Sequence, residues 1–440
     1  GCKVNQAETD SMLDMLKAAG ANIVEFDEKA DIYIVNTCSV TNIADKKSRQ
    51  MLHRARKMNP DGIVIAAGCY VQSAREILEQ DEAIDIVISN NKKKSITEIV
   101  NDYINVRNNE KNAPGKDHEA MEYFVDISRE TEYEEMGGHV PVGHTRAYVK
   151  IQDGCNQFCS YCIIPYVRGR IRSRSQEAIL AEVSELAEAG IKEVVLTGIH
   201  ISSYGKDKNN EGALIELIEA ISKIKGIKRI RLGSLEPGII TEEFVERISS
   251  NSKVCPHFHL SLQSGCDSVL KRMNRKYTCE QYFEKCDMLR KAYKSPALTT
   301  DVIVGFPGET EEEFAETVRY LTELNLYEMH IFKYSPRKGT VAAAMKEQVA
   351  PEIKNERSDV LLKLAHDNKT AYEAQFEGCE LEVLVEEVVK KDNKTYLRGH
   401  TERYMDILID VGDISMPESF VNSFVYVTYT QNGGNLPLLL

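Results

Sequence analysis

The sequence predicts an α/β protein in three parts: an open parallel α/β sheet, a partial (βα)6 barrel and a small all-β domain. Three observations predict it. Short β-branched apolar runs alternate with helical stretches over residues 1–105, the alternation resumes with six further strand candidates over 144–370, and helical periodicity disappears over 371–440. A chain of 440 residues also suits several cores rather than one, at roughly 100–200 residues per domain.

The first part takes its strands from Ile23–Phe26, Ile32–Val35, Ile63–Ala67 and Ile86–Ile88, each short, β-branched and followed by a helical stretch, as in a parallel sheet. Residues 106–143 are polar and weakly periodic, which predicts a linker with an edge strand or two. The barrel strands are Ala147–Ile151, Glu193–Leu196, Ile230–Leu232, His257–Leu262, Thr300–Val304 and His330–Lys333. Helical patterns at Ser175–Ala189, Leu214–Ile224, Thr241–Ser249, Cys279–Tyr293 and Glu309–Leu324 fill the gaps between them, and a helix near Pro351–Phe376 leads out. Cys379–Val389, Lys394–Arg398, Met405–Ile409 and Ser423–Thr430 then read as strands joined by Gly and Asp turns, a β domain of about five strands.

No run of eighteen apolar residues is present, so no membrane-spanning helix is expected, and the opening GCKVNQAETD does not read as a secretory leader. A net charge of −13 argues against nonspecific coating of nucleic acid, which needs an excess of Lys and Arg, but not against a local basic surface. Eleven cysteines, an odd number with no secretory leader, point to a reducing cytoplasmic setting rather than a disulfide framework.

Asp153-Gly-Cys155-Asn-Gln-Phe-Cys159-Ser-Tyr-Cys162 places three thiols at C-x3-C-x2-C spacing in a loop directly after the first barrel strand. Three thiolates on one tight loop can bind three irons of a [4Fe–4S] cluster and leave the fourth open to a small molecule. A structural zinc would want four ligands in paired sets, and the nearest histidine, His144, lies eleven residues before Cys155.

This loop resembles the cluster motif of the radical S-adenosylmethionine enzymes. The resemblance implies that the open iron chelates S-adenosylmethionine, that one electron from the cluster cleaves it to a 5′-deoxyadenosyl radical, and that the six-strand alternation is that family's partial barrel. The C-terminal strand ends, where a parallel barrel places its site, carry Thr197-Gly198, Ser234-Leu-Glu236, Gln263-Ser-Gly265, Asp301 with Gly305-Phe-Pro-Gly308, and Tyr334-Ser335. Taken singly, each can simply turn the chain or cap a helix. By resemblance, Thr197 and Gly198 would meet the methionine amino group, and Ser234, Glu236, Gln263 and Arg275 would lie near the ribose and carboxylate.

Cys2, Cys38 and Cys69 are far apart in sequence, yet Cys38 follows the strand IYIVN and Cys69 the strand IVIAA, so both open βα loops in the crevice of an open α/β sheet. Small core cysteines at strand ends are the plain alternative. GCKVNQAE, VNTCSVT and GCYVQ resemble the N-terminal domain of the methylthiotransferases, a radical S-adenosylmethionine subfamily with two [4Fe–4S] clusters, and the β domain resembles its TRAM domain. The resemblance covers essentially the whole chain. It implies that Cys155, Cys159 and Cys162 hold the reducing cluster, and that Cys2, Cys38 and Cys69 hold a second cluster carrying the sulfur. A second S-adenosylmethionine would methylate that sulfur, and CH3–S would be attached to a carbon radical. Cys255, Cys266, Cys279, Cys286 and Cys379 lack ligand spacing and read as structural.

GCKVNQ, GCYVQ and CNQFCSYCIIPYVRGRIRSR resemble the branch that acts on carbon 2 of N6-threonylcarbamoyladenosine at position 37 of tRNA. The alternatives are the branches for N6-isopentenyladenosine and for a ribosomal-protein aspartate. The implied partners are a tRNA anticodon loop, an electron donor such as flavodoxin or ferredoxin, and a sulfur donor, with no membrane. The run Arg168, Arg170, Arg172, Arg174 leaves the cluster loop and is expected to bind phosphate at the pocket mouth, while Lys46–Lys57 suits a solvated helix face equally well. The β domain from Ala371 carries twelve acidic residues against Lys390, Lys391, Lys394, Arg398 and Arg403, which is more acidic than an RNA grip would ordinarily be.

Overall fold

The computed structural model describes residues 2–110, 121–138, 145–392, 394–412, 416–431 and 433–435. The first part contains helix α1 (Lys3–Ala18), strand β1 (Ile32–Thr37), helix α2 (Asn42–Met58), β2 (Ile63–Gly68), the short helix α3 (Cys69–Ser73), β3 (Ile86–Ile88) and β4 (Met121–Tyr123). The strands lie in the order β1-β2-β3-β4, every pair parallel. Alternation along β2 explains the layering. Ile63, Ile65 and Ala67 face Met12 and Leu16 of α1, whereas Val64 and Ala66 face Leu52 and Ala55 of α2. β4 is the edge strand expected within 106–143, and residues 111–120 and 139–144 of that stretch lie outside the described residues.

Ile23–Phe26 is not a strand. Ile23 and Val24 are exposed and Phe26 packs edge-on against Tyr33, so the run lacks the two-sided burial that holds a parallel strand in place.

The central part places β5 (Arg146–Asp153), β6 (Arg172–Ser173), β7 (Glu193–Gly198) and β8 (Arg229–Leu232) in the order β6-β5-β7-β8, and β9 (His257–His259), β10 (Ala297–Val304) and β11 (Glu328–Lys333) in the order β11-β10-β9. Parallel bridges Ile230↔Val254 and Leu235↔Leu260 join the two into one curved, open barrel. β6 is a short antiparallel addition. β9 stops before Leu262, because the chain departs from regular pairing with β10 and rejoins it in a single parallel bridge at Gln263, whose φ is +80°. The helices Gln176–Glu188, Ala213–Ser222, Glu242–Ser249, Cys279–Ala292 and Glu311–Leu324 cover the outside, the last two opened by reciprocal capping boxes at Thr278/Gln281 and Thr310/Glu313. The main core lies between these helices and the outward residues of the strands. By alternation, the inner face then carries Lys150, Gln152, Arg231, His259, Asp301 and His330.

Helix Pro351–Ala374 leads to β12 (Glu380–Lys391), β13 (Lys394–Thr401), β14 (Asp406–Asp410), β15 (Phe424–Thr430) and β16 (Gly433–Asn435), a closed five-stranded barrel in the order β12-β13-β14-β16-β15. It seats on the N-terminal ends of the central strands. Arg229 donates to the carbonyls of His400 and Glu382 (both 3.0 Å), and Arg231 to those of Glu402 (2.9 Å) and Thr401 (3.2 Å). The opposite, C-terminal rim stays available to the cysteine loops.

Gly154 turns β5 into the cysteine loop with φ +72°, and a Cβ there would lie 1.8 Å from the Arg170 carbonyl oxygen. Gly154→Ala is expected to cost at least about 2 kcal/mol, read as a lowered thermal midpoint. An unchanged midpoint would mean that the loop relaxes without loss.

Candidate active site

The loop after β5 is closed by its own backbone. Cys155 N–H donates to the Gly169 carbonyl and Cys162 N–H to that of Cys159 (both 3.0 Å), so the three thiols share one short turn of chain. Burial pushes the Cys155 thiol up to about 11 and the Cys162 thiol up to about 12. Thiols held this way are poor anions by themselves and become good ones against bound iron, which deprotonates its ligands. The Arg275 guanidinium lies 3.2 Å from Cys159 Sγ and adds positive charge beside the set. This donor set fits a cluster with three protein ligands.

The residues expected to hold S-adenosylmethionine gather at the same rim. Thr197 and Gly198 end β7, and Ser234 is exposed just beyond β8. Glu236 accepts from Gln157 Nε2 (2.6 Å) inside the cysteine loop, meets His200 Nε2 (3.2 Å) and faces Arg275 (3.7 Å). Burial alone would raise its carboxyl, but His200 and Arg275 outweigh that and hold it below the ordinary carboxylate range. Gln263 is bracketed by β10 on both sides, donating its N–H to the Asp301 carbonyl (2.9 Å) and accepting from Ile303 N–H (2.8 Å). Asp301 itself lies in the middle of β10 rather than at the strand end, on the wall below this rim.

The first-domain cysteines are brought together. Cys2 caps α1 and accepts from Asn5 N–H (3.5 Å), Cys38 follows β1, and Cys69 opens α3 after β2. Burial raises the Cys38 thiol, and Cys69 and Cys2 lie close enough to raise it further. Cys69 packs with Ile163 and Val167, immediately beyond Cys162, so the two thiol triads meet across the domain boundary. Arg168 Nε donates to Cys69 Sγ (3.1 Å), and Asn90 Nδ2 lies 3.7 Å from the same sulfur while donating to the Val167 carbonyl (2.7 Å).

Three of the four arginines expected at the pocket mouth are not there. Arg168, Arg172 and Arg174 are buried, and only Arg170 is exposed, its guanidinium over the Phe158 ring at 4.6 Å. Arg168 forks onto Glu8 of α1 and reaches Asp153 (3.1 Å). Lys150 bonds Glu8 (2.7 Å) and Asp153 (2.6 Å), and Lys93 pairs with Glu8 from the first domain. Arg172 donates to the Arg168 carbonyl (2.9 Å), and Arg174 pairs with Glu135 and Glu182. Each side chain is consumed by a buried acceptor, so phosphate cannot reach it.

Sequence reasoning missed Glu8, whose only signal was an acidic residue on the buried face of an amphipathic helix. It also missed His200, Gln152 and Arg337. Gln152 receives His200 N–H and ties the carbonyls of Asp153 and Gly154 (2.7 Å each). Arg337 reaches from the barrel to Ser39 (2.7 Å), Asn42 (2.7 Å) and Asp45 (2.6 Å), the segment that follows Cys38. Cys255, Cys266 and Cys286 are buried, as the structural reading expects.

Comparison with known proteins agrees with this geometry. The Radical SAM superfamily matches residues 149–321, and the UPF0004 family, described as uncharacterized, matches residues 1–89. The threonylcarbamoyladenosine tRNA methylthiotransferase MtaB of Bacillus subtilis is 39% identical over 409 residues, covering 93% of this chain and 88% of that protein. Its Aquifex aeolicus counterpart is 37% identical, covering 92% and 96%. The tRNA-2-methylthio-N(6)-dimethylallyladenosine synthase of Thermoanaerobacter pseudethanolicus is 35% identical, covering 98% and 89%. Among solved structures, the radical S-adenosylmethionine methyltransferase TsrM of Kitasatospora setae, with cobalamin and a [4Fe–4S] cluster bound, superposes with a TM-score of 0.55 at 15% identity. It covers 75% of this chain and 73% of its own, a likeness of fold.

Burial would raise the Glu8 carboxyl, but Arg168, Lys150 and Lys93 together hold it well below the usual range. Its contribution to stability is therefore full above the unfolded value of about 4.3 and is lost as pH falls toward the folded value. Glu8→Gln is expected to cost about 3–5 kcal/mol at neutral pH, by denaturant unfolding, with the gap to wild type closing in acid. A gap independent of pH would mean that the carboxylate charge is not its source.

Proposed function

The chain belongs to the radical S-adenosylmethionine methylthiotransferase family, and we propose that it attaches a methylthio group to carbon 2 of N6-threonylcarbamoyladenosine at position 37 of tRNA. The observation that carries the reading is the meeting of two cysteine triads, one from each domain, through Cys69, Ile163 and Val167. One triad alone would serve many radical enzymes, whereas insertion of sulfur needs a second place to hold it. The relatives named for threonylcarbamoyladenosine carry the choice of base.

In this reading Cys155, Cys159 and Cys162 hold the reducing cluster, and Cys2, Cys38 and Cys69 hold the second. When bound, the clusters and S-adenosylmethionine supply radical chemistry at an unactivated C–H, together with the sulfur and methyl to be attached. The chain's own work is to position them. Thr197, Gly198, Ser234, Glu236, Gln263 and Arg275 line the cofactor side, with Glu236 linking the cysteine loop to the His200 turn. Arg170, with the exposed Lys46, Lys47 and Arg49 of α2, offers cations to RNA phosphate on the rim side. The β domain adds Lys390, Lys391 and Lys394 at one hairpin tip, since Lys391 pairs with Lys394 there, while Arg398 is held by Asp406 and Glu387. A single-stranded anticodon loop presents the base without the cost of unpairing a duplex. A one-electron donor such as flavodoxin or ferredoxin and a sulfur donor complete the reaction, and a tRNA substrate accords with a cytoplasmic setting. No helix among the described residues is long and apolar enough to cross a membrane.

The deciding experiment is nucleoside mass spectrometry on tRNA carrying both candidate adenosine modifications, incubated anaerobically with reconstituted protein, reductant and S-adenosylmethionine. A methylthio increment on threonylcarbamoyladenosine is expected. An increment on isopentenyladenosine alone, or activity on a ribosomal protein instead of tRNA, would overturn the choice of substrate. Cys38→Ala is expected to lose roughly half of the iron and all methylthiolation while still forming 5′-deoxyadenosine. Cys159→Ala is expected to form neither product. Retained methylthiolation in Cys38→Ala would sink the assignment of the second cluster.

A further inference from the structure

The inner wall of the barrel, below the cofactor rim, carries a group of side chains that the reaction as described does not use. His259 of β9, Asp301 of β10 and His330 of β11 stand on three adjacent strands, and each offers a ligand atom within 4.8 Å of the others. The imidazoles of His259 and His330 stack at 5.9 Å and 24°. Thr299 fixes His259 through Nδ1 (3.0 Å), which aims Nε2 at Asp301 (3.5 Å), a separation too long for a full hydrogen bond. That buried Nε2 has no hydrogen-bond partner among the described residues, and neither does Nδ1 of the buried His257 one layer below. His330 is exposed to the interior of the barrel, and His259 and Asp301 are half-buried.

Charge decides what such a group binds. Lys3, the residue after Cys2, is within electrostatic reach of Asp301 and Glu193, which attract it, and of Arg231 and Arg146, which repel it. Arg231 is already satisfied by Glu193 (2.8 and 3.2 Å) and Arg146 lies 3.3 Å from Glu386, which leaves Lys3 and the imidazoles opposite Asp301. A divalent cation would sit against Lys3, whereas an anion would complete the set. We propose that these side chains form a polar subsite for the substituent on adenine N6, with His330 and Lys3 taking a carboxylate and Asp301 accepting from a neighbouring hydroxyl or amide N–H. His259 flanks the subsite, stacked on His330 with its Nε2 3.5 Å from Asp301.

The inference rests on the proposed substrate and deepens it. A threonylcarbamoyl group carries a carboxylate, a hydroxyl and ureido N–H groups, while an isopentenyl group carries only hydrocarbon. A site built from hydrogen-bonding side chains rejects the group that leaves them unpaired, which is the stronger direction of discrimination. Position is consistent too. Phe332, 46% exposed, follows His330 on the same face of β11 toward the rim and gives the purine ring a surface to stack on. Lys3 directly follows Cys2 in the chain, which links the subsite to the second thiol triad.

The test compares the binding of two anticodon stem-loop RNAs by the reconstituted holoenzyme, one with threonylcarbamoyladenosine and one with plain adenosine. Wild type should prefer the modified RNA. His330→Phe should reduce that preference about 10- to 100-fold, the loss of one charge-assisted hydrogen bond, and leave affinity for plain RNA unchanged. His330→Gln should fall between them. Iron content and 5′-deoxyadenosine formation serve as folding controls for both variants. An undiminished preference in a correctly loaded His330→Phe enzyme would overturn the subsite and leave the proposed function standing. One equivalent of a non-iron divalent metal, lost in His330→Phe, would also overturn it. No preference and no methylthiolation by wild type would overturn the proposed function and the subsite together.

Discussion

Glu8 is the residue on which the rest of the arrangement depends. Its carboxylate is buried between the open sheet and the barrel and meets three cations, Lys93 from its own domain and Lys150 and Arg168 from the other. Taking so many charges out of water is expensive, and an ion pair of this kind is weak evidence for stability by itself. Geometry is what it fixes. A carboxylate has few ways to satisfy a forked guanidinium and two ammonium groups at once, so the two domains meet in one register. Asp153 repeats the motif from the barrel side, meeting Lys150 and Arg168, and it is the residue that begins the cysteine loop. The contact between the domains and the position of the first cluster loop are therefore set by the same charges.

The β domain plays the complementary part at the other end. Arg229, which begins β8, and Arg231, two residues along it, cross into it through carbonyl acceptors, and Arg231 also chelates Glu193. Tyr404 lies against the His400 ring at 4.5 Å and under the Arg231 guanidinium at 4.7 Å, so an aromatic stack seals the bottom of the barrel. This spends the domain's own arginines on structure. Arg398 pairs with Asp406, and Arg403 donates to the carbonyls of Ser295 and Lys294. The acidic balance noticed in the sequence thus has a structural counterpart, with Lys390, Lys391 and Lys394 gathered on the β12–β13 hairpin and Lys394 3.9 Å from Asp410.

Much of the architecture was legible because local chemistry specified it. All six barrel strands are found with ends displaced by a few residues, and the helices between them begin at side chains such as Ser175, Thr241, Thr278 and Thr310 that cap them. The cysteine triad at 155, 159 and 162 was legible because its ligands lie on one loop. What failed required knowledge of partners far along the chain. Arg168 looks like any surface arginine until Glu8, 160 positions away, is placed against it. Ile23–Phe26 has the composition of a strand but no neighbour on its far side. The grouping of His259, Asp301 and His330 depends on three strands lying adjacent, which spacing along the sequence does not encode.

The burial of Arg168 changes the meaning of the run that contains it. One guanidinium touches Glu8 and Asp153 and donates to Cys69, and its helix begins directly after Cys162. Any displacement of the cysteine loop is passed through Ile164–Arg168 to Cys69 of the other triad. Arg337 holds the Cys38 segment from the opposite side through Ser39 and Asp45, so the two domains cannot separate without breaking buried charge at both places. For a reaction in which a substrate radical must meet sulfur before it meets anything else, a fixed separation is worth more than mobility. The buried arginines near the cysteine loop serve that end, and of the four in that run Arg170 alone keeps an exposed guanidinium.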